Sequence, residues 1–82
     1  MVDGFVLSEH ACFQMQVRNV QEAWLDEALI SPDQQLFLAD KHDNTHYLKR
    51  IPEFGNRWLR VVVNPTTTPK VIITMFFDRR VK

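Results

Sequence analysis

The feature that most constrains the fold is a change of hydrophobic period near the middle of the chain. Between residues 9 and 30 the apolar side chains recur every three or four positions, which is typical of helices that pack along one side. After Ser31-Pro32 they alternate or form short blocks, as in strands. Helices followed by strands with short connections predict an α+β domain, in which the helices pack on one face of an antiparallel meander sheet.

Two helices and four strands are predicted, in the order ααββββ. Ser8 is the expected N-cap of a first helix over Glu9–Val17, and Asn19 with Glu22 resembles a capping box that opens a second helix. Phe5–Leu7 is a short apolar lead-in. The four strands of the sheet are expected at Gln35–Asp40, Thr45–Ile51, Arg57–Asn64 and Val71–Phe77.

The length of 82 residues predicts a single domain with a modest core. The residues expected in that core are Trp24, Leu29, Val61 and Val63, with Phe13 and Cys12 also in the apolar interior. A single cysteine excludes an internal disulfide, and the first residues lack the basic and apolar regions of a signal peptide. No apolar run approaches the length of a membrane span. The expected location is therefore the cytoplasm, away from any membrane.

The neutral net charge hides an asymmetry between the two halves of the chain. Residues 1–40 carry one basic and seven acidic side chains, whereas residues 41–82 carry nine basic and three acidic ones. The halves therefore have net charges of −6 and +6. If they form different faces, the sheet side is basic and attracts polyanions. If they fold together, the charges neutralise one another, and the sequence leaves both outcomes open.

Strand alternation divides the side chains of the sheet between two faces. Two helices cover only one face, so the other face is expected to carry aromatic residues interleaved with bases. The members of this open face are expected to be Tyr47, Lys49, Trp58, Arg60, Thr74 and Phe76. Nucleic-acid bases stack on aromatic rings and phosphates pair with Lys and Arg, so this composition suits single-stranded nucleic acid. The alternative is a solvated face with ordinary cross-strand pairs.

His10 is the candidate proton-transfer residue, because an imidazole changes its charge near neutral pH. Gln14 and Arg18 recur every fourth residue after it, on the same side of the first helix. A histidine and an arginine beside a phosphodiester can move a proton and stabilise developing charge. The alternative is a surface or capping histidine.

A metal centre is not expected. His42 and His46, with Asp40 and Asp43, are the nearest approach to a ligand cluster. Their spacing crosses a turn, and no dense Cys/His pattern supports a specific site. Neither a metal nor another cofactor is therefore predicted.

The N-terminal motif and the last strands resemble a bacterial family, the domain of unknown function numbered four-two-five-eight. The opening Ser8-Glu9-His10-Ala11, then Met15, then Arg18-Asn19-Val20 is similar to the family's "HA..RM..RGI" motif. The strands 57–63 and 71–76 are similar to its "lrVvv…vvTvy" pattern. Two positions depart from the motif: Gln14 stands where the family usually has Arg, and Asn19 where it usually has Gly.

The family resembles the RelE/ParE and barnase-like toxins, and this resemblance implies a metal-independent endoribonuclease that acts as the toxin component of a bacterial toxin–antitoxin system. It implies an antitoxin protein and RNA as partners. The catalytic residues carried over by the resemblance are His10, Arg18, Arg60 and Thr74, with Lys49, Tyr47 and Trp58 expected to contact RNA. Because Gln14 replaces a base beside His10, a non-catalytic RNA- or protein-binding module of the same fold is the alternative.

Overall fold

The computed structural model of the protein describes residues 2–37 and 44–80. Within these residues two helices pack against a five-stranded mixed sheet. The elements are β1 (Phe5–Leu7), α1 (Glu9–Val17), α2 (Glu22–Ile30), β2 (Gln34–Phe37), β3 (Thr45–Ile51), β4 (Arg57–Asn64) and β5 (Lys70–Asp78), with a short 3-10 helix at Pro52–Phe54. The α+β class is confirmed, as are the predicted bounds of α1, β3 and β4.

The prediction of a four-stranded, wholly antiparallel sheet is wrong in one respect. The apolar lead-in is a strand, β1, which lies parallel to β5 at one edge of a sheet with the order β1-β5-β4-β3-β2. Three residues are too few to show a period, and their partners in β5 lie 65 residues further along the chain. Local pattern therefore could not reveal this pairing. At the opposite edge, β2 ends at Phe37, and the rest of the predicted strand and turn lies outside the described residues.

Ser8 fixes the start of α1 on the sheet. Its hydroxyl accepts a hydrogen bond from the Ala11 backbone N–H at 3.0 Å, which is the N-cap predicted from the sequence. The same hydroxyl donates to the Ile73 carbonyl at 2.9 Å, and the Ser8 N–H donates to the Ile72 carbonyl at 3.0 Å. Helix α1 therefore begins beside the middle of β5 and ends at Arg18.

The predicted capping box of the second helix is wrong. The N-cap of α2 is Gln21, whose side chain makes no capping bond, and Asn19 has a positive φ of 54° in the turn before it. Asparagine tolerates this left-handed conformation better than most residues do, because its short polar side chain can bond locally. Asn19 thus turns the chain between the helices instead of capping the second one.

The core lies between the helices and the sheet, and the predicted core positions Trp24, Leu29, Val61 and Val63 are confirmed as buried. Cys12 and Phe13 are exposed, Phe13 to 60%, so their predicted burial is wrong. In α1 only Ala11 is fully buried, with Met15 packed against the core. Phe13 is two residues from Ala11, about 200° around the helix, and therefore points away from the sheet.

Among the described residues, neither helix is long and apolar enough to cross a membrane.

Candidate nucleic-acid interface

A cleft of about 480 Å³ opens at the end of the sheet where β4 begins and β5 ends. The C-terminal end of α1 completes its wall. Its lining consists of Arg18, Phe54, Gly55, Asn56, Arg57, Trp58, Phe77, Asp78 and Arg79. We call this feature the arginine cleft, because three of its nine lining residues are arginines.

The three arginines come from three different elements and are all exposed. Arg18 caps α1, and its Nε donates to Gln14 Oε1 at 3.2 Å. The guanidinium of Arg57 lies over the Phe54 ring, 4.8 Å from its centroid. Arg79 follows the last residue of β5. No described carboxylate forms an ion pair with any of the three. The cleft therefore concentrates positive charge that is available to an anion.

Aromatic packing holds the floor of the cleft rigidly on the core. The rings of Phe54 and Phe77 lie 4.9 Å apart between centroids, and both contact the buried Trp24 ring. Gly55 and Asn56 both have positive φ, which reverses the chain tightly between the 3-10 helix and β4. This turn places Asn56 and Arg57 at the rim and Trp58, which is half-buried, beside them.

Asp78 connects the cleft to a row of hydrogen-bonded polar side chains on the open face of the sheet. Its side chain is only 2% exposed, and its carboxylate accepts from Arg60 Nε at 2.7 Å and from Arg80 Nε at 3.2 Å. The hydrogen bonds from Arg80, then those from Arg60 with its charge, hold the pKa of Asp78 well below its usual range, at about 2, against the effect of burial. Asp78 is therefore an anion that organises two arginines.

His46 forms the end of this row of polar side chains that lies away from the cleft. Arg60 Nη1 lies 2.8 Å from His46 Nδ1. An arginine can only donate, so Nδ1 is the acceptor and the ring hydrogen is assigned to Nε2. The order across the face is thus His46, Arg60, Asp78 and Arg80, and Arg60 reaches the cleft through Asp78.

The structure confirms part of the predicted open face. Trp58, Arg60, Thr74 and Phe76 lie on the side of the sheet away from the helices, where Arg60 pairs with Phe76 and Thr74 with Val62. Thr74 is thus a diagonal neighbour of Arg60, about 7–8 Å away.

Tyr47 and Lys49 are not on the open face, which corrects their expected placement. Tyr47 belongs to the core, 7% exposed and edge-on to the Phe5 ring, and burial raises the pKa of its hydroxyl. Lys49 donates from Nζ to the Ser31 carbonyl at 3.0 Å, at the end of α2. The alternation of side chains along β3 was predicted correctly. The face of the sheet that Tyr47 and Lys49 share was assigned to the wrong side, since it is the one that the helices cover. A buried Tyr47 has no free ring face for an RNA base.

His10 lies apart from the arginine cleft. It is exposed in the first turn of α1 and does not line the cleft. Eight residues separate it from Arg18, about 12 Å along a helix axis. Of the catalytic residues that the family resemblance implies, Arg18 lines the cleft and Arg60 bonds to the lining residue Asp78, while His10 lies at the other end of α1.

The sequence did not point to Asn56, Arg57, Asp78 or Arg79 as site residues. The signal that was available is the register of the last hairpin, which pairs Trp58 with Asp78 and so brings the start of β4 to the end of β5. As for a metal, no three His, Cys, Asp or Glu side chains gather among the described residues. His42, Asp40 and Asp43, which were weighed as ligands, lie outside them.

The fold and the site together define the protein as a small α+β domain with a basic, aromatic-lined cleft at the end of its sheet. The chain belongs to the family described as domain of unknown function DUF4258, whose sequence profile matches residues 7–77. The family resemblance is therefore confirmed. No curated protein and no solved structure matches the chain, so the likeness to RelE/ParE toxins stays a prediction.

Proposed function

We propose that this protein binds single-stranded RNA at the arginine cleft and acts as a metal-independent endoribonuclease of the RelE-like type, the toxin component of a bacterial toxin–antitoxin system. The observation that carries the proposal is the grouping of Arg18, Arg57 and Arg79 around the half-buried Trp58. A guanidinium group can donate two parallel hydrogen bonds to two oxygens of one phosphate, and an indole ring can stack on any base. The arrangement therefore supports recognition of a phosphodiester with an unpaired base beside it.

In the proposed reaction the nucleophile is the 2′-hydroxyl next to the scissile phosphate, so the side chains supply proton transfer and charge stabilisation. His10 is the proton-transfer residue, as the family motif implies, and Arg18 contacts a neighbouring phosphate of the same strand. Arg60 donates to Asp78 and to His46, so its contribution on the open face is electrostatic, without a direct bond to phosphate. Thr74 lies on the same face as a hydroxyl donor.

The distance between His10 and the cleft favours a second candidate function, a non-catalytic RNA-binding module. Among residues 2–37 and 44–80 no histidine lines the arginine cleft, and the one carboxylate that they place there, Asp78, already accepts bonds from two arginines. His10 is displaced from Arg18 by about 12 Å along the helix axis, which favours contact of the two side chains with different phosphates. Cleavage would require the RNA to extend from the cleft along α1, so that His10 meets a different phosphate from the one that Arg57 and Arg79 bind.

We expect the purified protein to bind unstructured RNA, and Arg57→Ala to weaken this binding about 10-fold, because an exposed phosphate contact is lost. The measurement is fluorescence anisotropy with a labelled oligonucleotide in EDTA, with cleavage followed on a gel. Lys70→Ala is the matched control, since it removes one positive charge at the other end of β5, beside Phe5.

Equal losses of affinity in the two variants would show that net charge alone attracts RNA, and would contradict a specific cleft. DNA of the same sequence tests the chemistry separately. It should remain intact in every reaction, because it lacks the 2′-hydroxyl. RNA that is bound and left uncut would place the second candidate function first.

A further inference from the structure

Trp58 lies on the open face between one cationic and one anionic residue. Across the sheet it pairs with Arg50 of β3 on one side and with Asp78 of β5 on the other. Side chains paired in this way have Cβ atoms about 4.5–5.5 Å apart. The row therefore runs from Arg50 over the indole to Asp78, which is followed by Arg79 in the arginine cleft.

A second cavity, of about 530 Å³, lies on the Arg50 side of Trp58. Trp58 lines both cavities, so its side chain forms the partition between them. The other residues of the second cavity are Glu27, Asp33, Lys49, Arg50, Pro52 and Glu53. The two cavities therefore form one continuous surface around the end of the sheet.

Arg50 is the cation of the second cavity that is available to a ligand. Among residues 2–37 and 44–80 no hydrogen bond or ion pair engages its guanidinium, and the residue is exposed. Lys49 is committed to the Ser31 carbonyl, and its Nζ lies 3.9 Å from the Asp33 carboxylate. The second cavity also contains the carboxylates of Glu27, Asp33 and Glu53, and Asp33 Oδ2 accepts a bond from the Arg50 backbone N–H at 2.9 Å. These negative charges disfavour phosphate inside the cavity, so the proposed phosphate position is at the rim, beside the exposed Arg50 guanidinium.

We propose that Arg50 and Trp58 form a second RNA subsite, so that an unpaired strand crosses the end of the sheet with one phosphate at Arg50, a base on Trp58 and the next phosphate in the arginine cleft. This inference rests on the proposed RNA binding and adds its substrate class, an unpaired segment of at least two phosphates. Strands β3 and β5 are two spacings apart, about 10 Å, so one chain reaches both cations. Stacking on Trp58 needs a free base face, which a duplex does not offer.

The test measures the affinity of a fluorescein-labelled RNA hexanucleotide as a function of salt, for the wild-type protein and for Arg50→Ala. Each phosphate contact to a single strand contributes about 0.7 to the slope of log K against log salt. Arg50→Ala should lower that slope by about 0.7 and the affinity by about 10-fold. Arg50→Lys should restore the slope, and Lys70→Ala should change neither quantity.

Trp58→Leu tests the stacking separately and should weaken binding about 5- to 100-fold, with near-ultraviolet circular dichroism used to confirm folding. The hexanucleotide annealed into a duplex should bind more weakly than the single strand. Unchanged affinity and salt slope in Arg50→Ala, with Arg57→Ala and Trp58→Leu still weakened, would overturn the second subsite and leave the arginine cleft standing. Absence of RNA binding by the wild-type protein would overturn the subsite together with the proposed function.

Discussion

Asp78→Ala should lower the free energy of unfolding by about 3–5 kcal/mol, because it leaves the Arg60 guanidinium without its buried counter-ion. Arg60 is only 13% exposed, so water cannot replace the lost carboxylate fully. The measurement is urea unfolding at neutral pH. Asp3→Ala is the matched control, since Asp3 is exposed and its removal should change stability by no more than about 0.5 kcal/mol.

The same carboxylate predicts a pH dependence with a definite sign. The pKa of Asp78 is about 2 in the folded protein, against an ordinary value of 3.8, because Arg80 and Arg60 favour the charged form. A lowered pKa means that the stabilisation is complete above about pH 4 and is lost as the pH falls towards 2. Between these values the wild-type protein should lose stability more steeply than Asp78→Ala. Parallel curves, or a loss below about 1 kcal/mol at neutral pH, would show that Asp78 is not the anchor of this face.

His10→Ala should lower the rate of RNA cleavage about 10²–10⁴-fold, which is the usual contribution of a positioned proton donor or acceptor. RNA affinity should change little, since His10 does not line the arginine cleft. The measurement is a single-turnover cleavage assay in EDTA, run beside the anisotropy titration. A variant that cleaves at the wild-type rate would contradict the role that the family motif assigns to His10.

Gln14→Arg is the companion variant, because it restores the basic residue that the family motif has at this position. Gln14 accepts the hydrogen bond from Arg18, so the change also frees the Arg18 guanidinium. Higher activity in this variant would indicate that the natural site is weakened and that α1 is part of it. If neither form cuts RNA that both bind, the protein is a binding module.

The helices and the central strands were predictable because each carries its own local signal. Ser8 and the Val61-Val62-Val63 block act within a few residues, and both α1 and β4 have the expected bounds. Strand β1 has no such signal, since the strand that it pairs with in the described part of the sheet, β5, lies far along the chain. The sequence also could not predict which face of β3 packs against the helices. Alternation divides the side chains between two faces, and only tertiary packing decides that Tyr47 and Lys49 lie on the helix side.

The candidate site was predicted only in part for the same reason. Trp58, Arg60 and Thr74 follow from alternation along single strands, and the structure places them together. The register of the last hairpin brings three more residues to the site: Arg57, Asp78 and Arg79. A bulge between Val62 and Val63 sets this register, because it shifts the partners along β5 by one residue. That irregularity also explains why Ile72 and Met75, three residues apart, are both buried.

The most direct test of RNA binding at the arginine cleft is a nuclear magnetic resonance titration of the labelled protein with the RNA hexanucleotide. If RNA binds at the arginine cleft, shifts should concentrate on the Trp58 indole N–H and the side-chain N–H groups of Arg57 and Arg79, while the buried Trp24 indole should change little. The exposed apolar side of α1, marked by Phe13 and Val17, is a competing surface better suited to a protein partner. Shifts confined to that side, or no shifts at all, would contradict an RNA site at the arginine cleft.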